Sequence, residues 1–230
     1  MISDAEFDSA VASVFAEHSI APGALLGLEA LRALVCHYSF DSVLDVGAGH
    51  GVHAHILRRL GKQVLSVDFH TQSTMRQQTI EAADLIGDYA NMRFAGTFDA
   101  VWCCHVLEHQ RNAGAFLEKL LSDVKEGGTL AITVPPFKHN IVGGHVSVWN
   151  AGLLLYNLVL AGNDCSQARV RRYGYNISVL TPRKPSALPE GLVGGRGDLE
   201  RLAGFFPFDA AQDFDGDIEE LNWPTFGKRV

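Results

Sequence analysis

A glycine-rich segment that begins with an acidic residue is the part of the sequence best suited to hold a ligand. Residues 45–51 read Asp-Val-Gly-Ala-Gly-His-Gly and lie where a predicted strand turns into a predicted helix. Glycines let the backbone turn tightly and let a ligand approach main-chain amides, while the helix N-terminus supplies free N–H groups. Two classes of ligand bind to turns of this kind, the dinucleotides and S-adenosylmethionine.

Two details of the loop separate these ligand classes. The dinucleotide pattern requires its third glycine three positions after the second, and that position is occupied by Val52. The carboxylate of Asp45 would repel a pyrophosphate but would attract the ammonium and sulfonium charges of S-adenosylmethionine. The loop therefore favours S-adenosylmethionine, and a nicotinamide-dependent oxidoreductase is the less favoured alternative.

Two further acidic residues lie where the adenosine part of such a ligand would extend. Asp68 ends a second predicted strand, and its carboxylate can accept hydrogen bonds from a ribose diol. Asp88 follows a short third strand, where it could accept a hydrogen bond from the exocyclic amine of adenine. Because NAD also suits Asp68, this residue indicates an adenosine ligand without choosing between the two classes.

Histidines mark the region where chemistry on an acceptor is predicted. His139 and His145 flank a loop after the fifth predicted strand, at the sheet edge where ligands bind in open α/β folds. Because a neutral imidazole can remove a hydroxyl proton near pH 7, we predict His145 as the catalytic base and His139 as the second choice. His105, Glu108 and His109 share one turn after strand four, but structural histidines are commoner than ligands, and no metal site is predicted.

The elements that must position these residues alternate in type along the chain. Strands are predicted at 42–46, 63–68, 98–104 and 129–134, and helices at 24–38, 52–60, 113–124 and 149–161. Apolar strands separated by helices indicate a parallel sheet covered on both faces. Ser3 and Glu6 form a capping-box pattern that begins an N-terminal helix, and an antiparallel strand pair is predicted around Gly174.

This pattern resembles the class I S-adenosylmethionine-dependent methyltransferases over about residues 40–180. The matching segments, in order, are 43–51 (Val-Leu-Asp-Val-Gly-Ala-Gly-His-Gly), 67–68, 87–88, 98–109 and 125–130. The resemblance implies an α/β, Rossmann-like fold, with a seven-stranded, mostly parallel sheet, helices on both faces and an antiparallel last strand. The resemblance thus covers a core at 40–181. Outside it, the sequence predicts an N-terminal helical cover at 1–39 and a C-terminal appendage at 182–230, on the acceptor side or at an oligomer contact.

The resemblance further implies which residues contact the cofactor. In the family, the acid and glycines of the first loop hold the methionine part, the acid that ends strand two holds the ribose, and residues after strands three and four border adenine and the methionine. The residues predicted on this basis are Asp45, Gly47, Ala48, Gly49, Gly51, Asp68, Phe69, Asp88, Tyr89 and His105.

Composition limits the partners. The chain has 19 Lys and Arg against 26 Asp and Glu, a formal charge of -7, so it has no global attraction for nucleic acids or anionic membranes. No apolar stretch approaches the ~20 residues that span a bilayer. The four cysteines include no CxxC pair and are predicted to be free thiols of a reducing compartment, which makes the predicted location cytoplasmic.

The sequence thus predicts an S-adenosylmethionine-dependent methyltransferase that O-methylates a sugar, a glycan or another small hydroxylated metabolite. The alternative is a catalytically silent partner subunit that binds S-adenosylmethionine. The identity of the acceptor, O- against N-methylation and assembly into a homo-oligomer stay open. The segment 202–208 contains three phenylalanines, and it is predicted to pack over the acceptor pocket or across a dimer interface.

Overall fold

The computed structural model describes residues 1–21, 23–69, 80 and 82–225, and within these ranges the chain forms helices and one mixed sheet. The helices are α1 (Asp4–Glu17), α2 (Leu28–His37), α3 (Val52–Arg59), α4 (Ala113–Asp123), α5 (Ala151–Leu160) and α6 (Asp198–Leu202). The strands are β1 (Ser42–Val46), β2 (Gln63–Asp68), β3 (Leu85–Ile86), β4 (Phe98–Cys104), β5 (Val124–Val134), β6 (Arg169–Tyr173), β7 (Asn176–Pro182) and β8 (Glu220–Leu221).

The sheet has the order β3-β2-β1-β4-β5-β7-β6-β8. Strands β1 to β5 pair in parallel, whereas β7 is antiparallel to β5 and to β6. The predicted Rossmann-like α/β class and the antiparallel pair around Gly174 are confirmed. The described chain has eight strands instead of seven, because Leu221 and Glu220 pair with Val170 and Arg171 at the edge of the sheet.

Helices cover both faces of the sheet because successive side chains of each buried strand point to opposite sides. In β4, Trp102 is fully buried in a cluster formed with α1, α2 and α3. Its neighbour Val101 is fully buried in a second cluster, formed with α4 and α5. The parallel strands have their carboxyl ends at the same edge of the sheet. The loops that follow β1, β4 and β5 lie at this edge.

Local sequence signals set most of the element boundaries. Ser3 Oγ accepts a hydrogen bond from the Glu6 amide at 3.3 Å, and the Glu6 carboxylate accepts one from the Ser3 amide at 2.8 Å, so the predicted capping box is present. Strands β1, β2 and β4 have their predicted bounds. Strand β5 begins five residues earlier than predicted, at Val124, which pairs with Phe98 ahead of a bulge.

The phenylalanine-rich C-terminal segment packs against the core of the chain through Leu202 and Phe206. Its predicted place over the acceptor pocket or across a dimer interface stays a prediction. Leu202 is 0% and Phe206 is 4% exposed, and both belong to the cluster that contains α5. The Phe206 ring is stacked on Tyr156 of α5 and meets the Phe214 ring edge-on, with centroids 6.5 and 5.9 Å apart. Helix α5 is mostly apolar, and this segment covers part of its surface.

We expect Phe206→Ala to lower the free energy of unfolding by about 3 to 5 kcal/mol, since the substitution opens a cavity in the core. Phe137→Ala is the matched control, because Phe137 is 53% exposed, and it should change the stability by less than about 1 kcal/mol. Urea unfolding of both variants gives the comparison. Equal losses would contradict the placement of Phe206.

Two other expectations concern the thiols and the membrane. Cys36, Cys103, Cys104 and Cys165 are all free in the structure, as predicted. Burial raises the pKa of the Cys103 thiol well above its usual value, which makes this thiol a poor nucleophile. Among the described helices, none combines the length and the apolar character that a membrane crossing requires.

Candidate functional site

The loop between β1 and α3 takes a shape that needs glycine. Gly47, Gly49 and Gly51 have φ angles of +79°, +57° and +79°. A Cβ atom on Gly47 would lie 2.2 Å from Cγ2 of Val106, in the segment that follows β4. Glycine at position 47 is therefore required both by the backbone angle and by the close approach of the neighbouring loop.

Asp45 is buried at the mouth of this loop. The residue is 1% exposed, and its Oδ2 has no hydrogen-bond partner among the described residues. Burial raises the pKa of the Asp45 carboxyl to about 7, with further upward contributions from Asp68 and Asp84 and an opposing one from Arg58. A buried acid with an unpartnered oxygen beside a glycine loop is suited to receive a cationic group of a ligand.

Asp68 ties the loop to the end of β2. Its carboxylate accepts a hydrogen bond from the Gly49 amide at 2.8 Å, and the Gly47 and Ala48 amides donate to the Val67 carbonyl at 2.9 and 3.1 Å. The structure thus brings Asp45, Asp68 and the glycine loop together. The sequence predicts this, because it places both acids at the ends of neighbouring strands. Phe69, which follows Asp68, is 68% exposed at the same edge.

Asp88 and Tyr89 follow β3, and their side chains lie in different surroundings. The exposed Asp88 carboxylate accepts hydrogen bonds from the Ala90 amide at 3.0 Å and from Asn91 Nδ2 at 2.9 Å, so it holds its own turn. The Tyr89 ring is buried in the core, and its hydroxyl donates to Asp123 at 2.5 Å. Burial and the bond to Asp123 raise the pKa of Tyr89. The Tyr89 side chain therefore faces the core and not the ligand edge.

His105 links the end of β4 to the antiparallel strands. It has a φ of +57°, and its Nε2 lies 3.0 Å from Oδ1 of Asn176. The same Oδ1 accepts a hydrogen bond from the Gly27 amide at 3.0 Å, which identifies it as the oxygen and makes His105 the donor. The His105 ring is stacked on Tyr175, with centroids 5.9 Å apart.

A cleft lies beside these residues. Its volume is about 430 Å³, including space open to solvent, and its lining includes Phe137, Lys138, His145, Trp149 and Tyr175. The aromatic walls and the nearby histidine suit a flat, hydroxylated acceptor.

The two predicted bases lie in different surroundings within this region. His145 is half-buried and lines the cleft, while His139 is exposed and packs edge-on against Phe137 at 4.9 Å. The sequence reasoning missed Tyr175 and Lys138, whose ammonium nitrogen lies 4.0 Å from the Tyr175 ring centre. This contact depends on the register of β6 and β7 against β5, for which the sequence carries no local signal.

Comparison with known proteins gives matches to methyltransferases. Residues 44–132 match the family model described as a methyltransferase domain. The chain is 30% identical over 100 residues to a ubiquinone biosynthesis O-methyltransferase of Paraburkholderia xenovorans, covering 40% of this chain and 43% of that protein. For the enzyme of the same name in Xanthomonas campestris, the values are 33%, 40% and 41%. The aligned segment thus spans less than half the length of these relatives.

Solved structures share the fold at low sequence identity. One chain of the complex between the Haloferax volcanii Trm112 methyltransferase activator and a putative methyltransferase superposes with a TM-score of 0.55 at 15% identity, covering 81% of this chain and 99% of that one. Human N-acetylserotonin methyltransferase, in complex with S-adenosylmethionine, gives a TM-score of 0.54 at 14% identity, covering 77% and 56%. Residues 44–132 thus match a methyltransferase domain, and the described chain shares the fold of these solved methyltransferase structures.

Proposed function

We propose that the protein is an S-adenosylmethionine-dependent methyltransferase that methylates a hydroxyl group of a small acceptor. The observation that carries the proposal is the buried, partly unpartnered Asp45 carboxylate beside a glycine loop that Asp68 fastens to β2. In this assignment Asp45 receives the ammonium group of the methionine moiety, and Asp68 receives the ribose. The cofactor's sulfonium then lies toward the loops that follow β4 and β5.

The remaining cofactor contacts follow from the same placement. The amides of the loop, from Gly47 to Gly51, would face the methionine moiety, and Phe69 and Asp88 would border the adenine. His105 would lie next to the methionine end, held in its orientation by Asn176. For Tyr89 only the backbone is placed to contribute, since its ring is in the core.

The protein's own task is to align the acceptor, because the sulfonium already activates the methyl group. The cleft beside His145 would hold the acceptor oxygen in line with the methyl carbon and the sulfur, and it would exclude water. As the O–CH₃ bond forms, the S–CH₃ bond breaks and S-adenosylhomocysteine leaves. The proton of the acceptor hydroxyl must also be removed, and we assign this role of general base to His145.

The acceptor class rests on two observations. The cleft is walled by aromatic side chains, which stack on flat rings and also on the apolar faces of sugars. Matched relatives carry the name ubiquinone biosynthesis O-methyltransferase. We therefore infer a small hydroxylated acceptor, with a phenol favoured over the sugar or glycan that the sequence suggested first.

Parallel titrations with S-adenosylmethionine and NADH separate the proposal from an oxidoreductase. The proposal expects binding of S-adenosylmethionine and none of NADH at comparable concentrations. Release of S-adenosylhomocysteine with a panel of phenols and sugars then separates an enzyme from a silent partner subunit. Tight NADH binding, or cofactor binding without turnover on any acceptor of a broad panel, would contradict the proposed activity.

His145→Ala is expected to lower turnover by about 10²- to 10⁴-fold, the usual contribution of a positioned proton acceptor. The affinity for S-adenosylhomocysteine should stay within about twofold, because His145 lies on the acceptor side. His139→Ala is the matched control from the same loop and should change turnover much less, since His139 is exposed. Steady-state rates and calorimetry supply both quantities, and equal effects of the two substitutions would remove His145 from this role.

A further inference from the structure

We propose that Glu108, His109 and His145 bind a divalent transition-metal ion at the rim of the acceptor cleft. Each residue offers one ligand atom, and the three atoms lie within 4.8 Å of one another. Glu108 and His109 lie in the turn after β4, and His145 lies in the loop after β5. The sequence analysis grouped His109 with His105 and Glu108 but not with His145, because nothing local shows that the second loop returns to this turn.

The Glu108 carboxylate is buried without a hydrogen bond. The residue is 0% exposed, and within the described part of the chain neither of its carboxylate oxygens has a hydrogen-bond partner. Its Oε1 lies 3.2 Å from His105 Nδ1 and 3.9 Å from His109 Nε2. An ionised carboxylate in such surroundings is costly unless a positive charge compensates it.

In their neutral forms, the two nearby histidines present ring nitrogens without hydrogen to this carboxylate. His105 donates its Nε2 hydrogen to Asn176, so in the neutral ring Nδ1 is bare. His109 donates its Nδ1 hydrogen to the Gly144 carbonyl at 2.8 Å, which leaves Nε2 bare on the side of Glu108. The lone pairs of these ring nitrogens repel the negatively charged carboxylate. A cation bound between the nitrogens and the carboxylate would remove this repulsion, because all of them could coordinate it. Protonation of His105 is the competing source of positive charge.

The bond from His109 to Gly144 is typical of a metal ligand. Histidines that bind metals usually donate their second N–H to a carbonyl or carboxylate, which fixes the ring and its tautomer. Gly144 has a φ of +85°, and a Cβ atom there would lie 3.2 Å from His109 Nδ1, so glycine allows the close approach. The His109 side chain is 43% exposed, which leaves a path for an ion from solvent.

Backbone hydrogen bonds also hold the loop that carries His145 against the turn that contains Glu108. The Glu108 carbonyl accepts hydrogen bonds from the Val146 amide at 2.8 Å and the Ser147 amide at 3.2 Å. His145 is thereby kept beside His109, with ring centroids 5.0 Å apart. Zinc binds nitrogen and oxygen ligands at about 2.0 to 2.2 Å. Side-chain rotations that move the three ligand atoms by about 1 Å would therefore bring them within bonding distance of one ion.

Two imidazoles and one carboxylate suit zinc or a similar ion, whereas magnesium and calcium prefer oxygen ligands alone. Three protein ligands leave a coordination position open, and His145 also lines the cleft. The role of the ion rests on the proposed function: an acceptor hydroxyl at the open position would release its proton to water more readily and attack the methyl group as an alkoxide. His145 then acts as a ligand and not as a base.

Titration of Co²⁺ and Zn²⁺ into the full chain, without cofactor, tests the site directly. We expect one ion per chain and a visible Co²⁺ absorption band typical of four or five ligands. Glu108→Gln, His109→Ala and His145→Ala should each weaken binding by at least about 100-fold, because loss of an outer partner alone costs about 10- to 100-fold. His18→Ala, in a second group of Glu17, His18 and His55, is the control and should bind as the unaltered chain does.

Absence of Co²⁺ binding, or binding that survives Glu108→Gln and His145→Ala, would overturn the site and favour a protonated His105 as the partner of Glu108. Loss of binding in His18→Ala would move the ion to that other group. The same samples are titrated with S-adenosylhomocysteine. Cofactor binding without metal binding ends this inference and leaves the proposed function standing, while metal binding without cofactor binding does the reverse.

Discussion

Replacement of Asp68 with alanine is expected to weaken the binding of S-adenosylhomocysteine by about 10²- to 10⁴-fold. The carboxylate is assigned two hydrogen bonds to the ribose hydroxyls, each worth about 1.5 to 3 kcal/mol when one partner is charged. A loss of about 3 to 6 kcal/mol corresponds to that range of affinity. The Asp68 carboxylate also accepts from the Gly49 amide, so the substitution loosens the loop in the same direction.

Asp99 supplies the matched control for this experiment. Its carboxylate accepts hydrogen bonds from the amides of Asp41 and Ser42, so it ties backbone segments together as Asp68 does, but at the opposite edge of the sheet. Asp99→Ala should lower the stability and leave the affinity for S-adenosylhomocysteine within about twofold at a temperature where the chain is folded. Calorimetry on both variants decides, and an unchanged affinity in Asp68→Ala would refute the ribose assignment.

Asp45→Asn is expected to stabilise the ligand-free protein and weaken cofactor binding at the same time. The pKa of Asp45 is about 7 in the folded chain, against a usual value of 3.8. The native state therefore holds a proton that the unfolded state releases, and the stability falls as the pH rises from about 4 to about 7. Above pH 7 the carboxylate costs up to about 4 kcal/mol, and a neutral amide avoids this cost.

The pH dependence of both quantities supplies the measurement. Thermal unfolding should show a gain in stability for Asp45→Asn at pH 8 and little gain at pH 4. Binding of S-adenosylhomocysteine by the unaltered chain should weaken below pH 7, as Asp45 takes up a proton, and this dependence should be absent from the variant. Asp99→Asn is the contrast, since a hydrogen bond from Lys125 lowers the pKa of Asp99 and removal of the charge should destabilise at pH 8. A destabilised Asp45→Asn would show that the carboxylate has a partner in the ligand-free state.

The sequence predicts those features that local patterns control. Strands β1, β2 and β4 and the capping box at Ser3 depend on runs and spacings within a few residues, and their positions agree with the structure. The meeting of Asp45 and Asp68 also follows, because parallel neighbouring strands end at one edge. A buried strand followed by a glycine loop thus determines the cofactor side of the candidate site.

Features made by distant segments were not predicted. The pairing of β8 with β6 joins segments about fifty residues apart. Strand β8 has only two residues, which are too few to give a strand pattern in the sequence. The burial of Phe206 against α5 needs knowledge of which helix face is left uncovered. The approach of His145 to Glu108 depends on the return of a loop without regular structure. Each of these depends on long-range packing, which one sequence does not specify.

A crystal structure with S-adenosylhomocysteine tests the assignment of the site most directly. We expect the ammonium group within hydrogen-bonding distance of Asp45, the ribose hydroxyls on Asp68, and the sulfur facing the cleft beside His145. Space should remain between the sulfur and that cleft for a small hydroxylated acceptor. Failure of the cofactor product to bind, or a bound product whose sulfur points away from the cleft, would contradict a methyltransferase that acts through these residues.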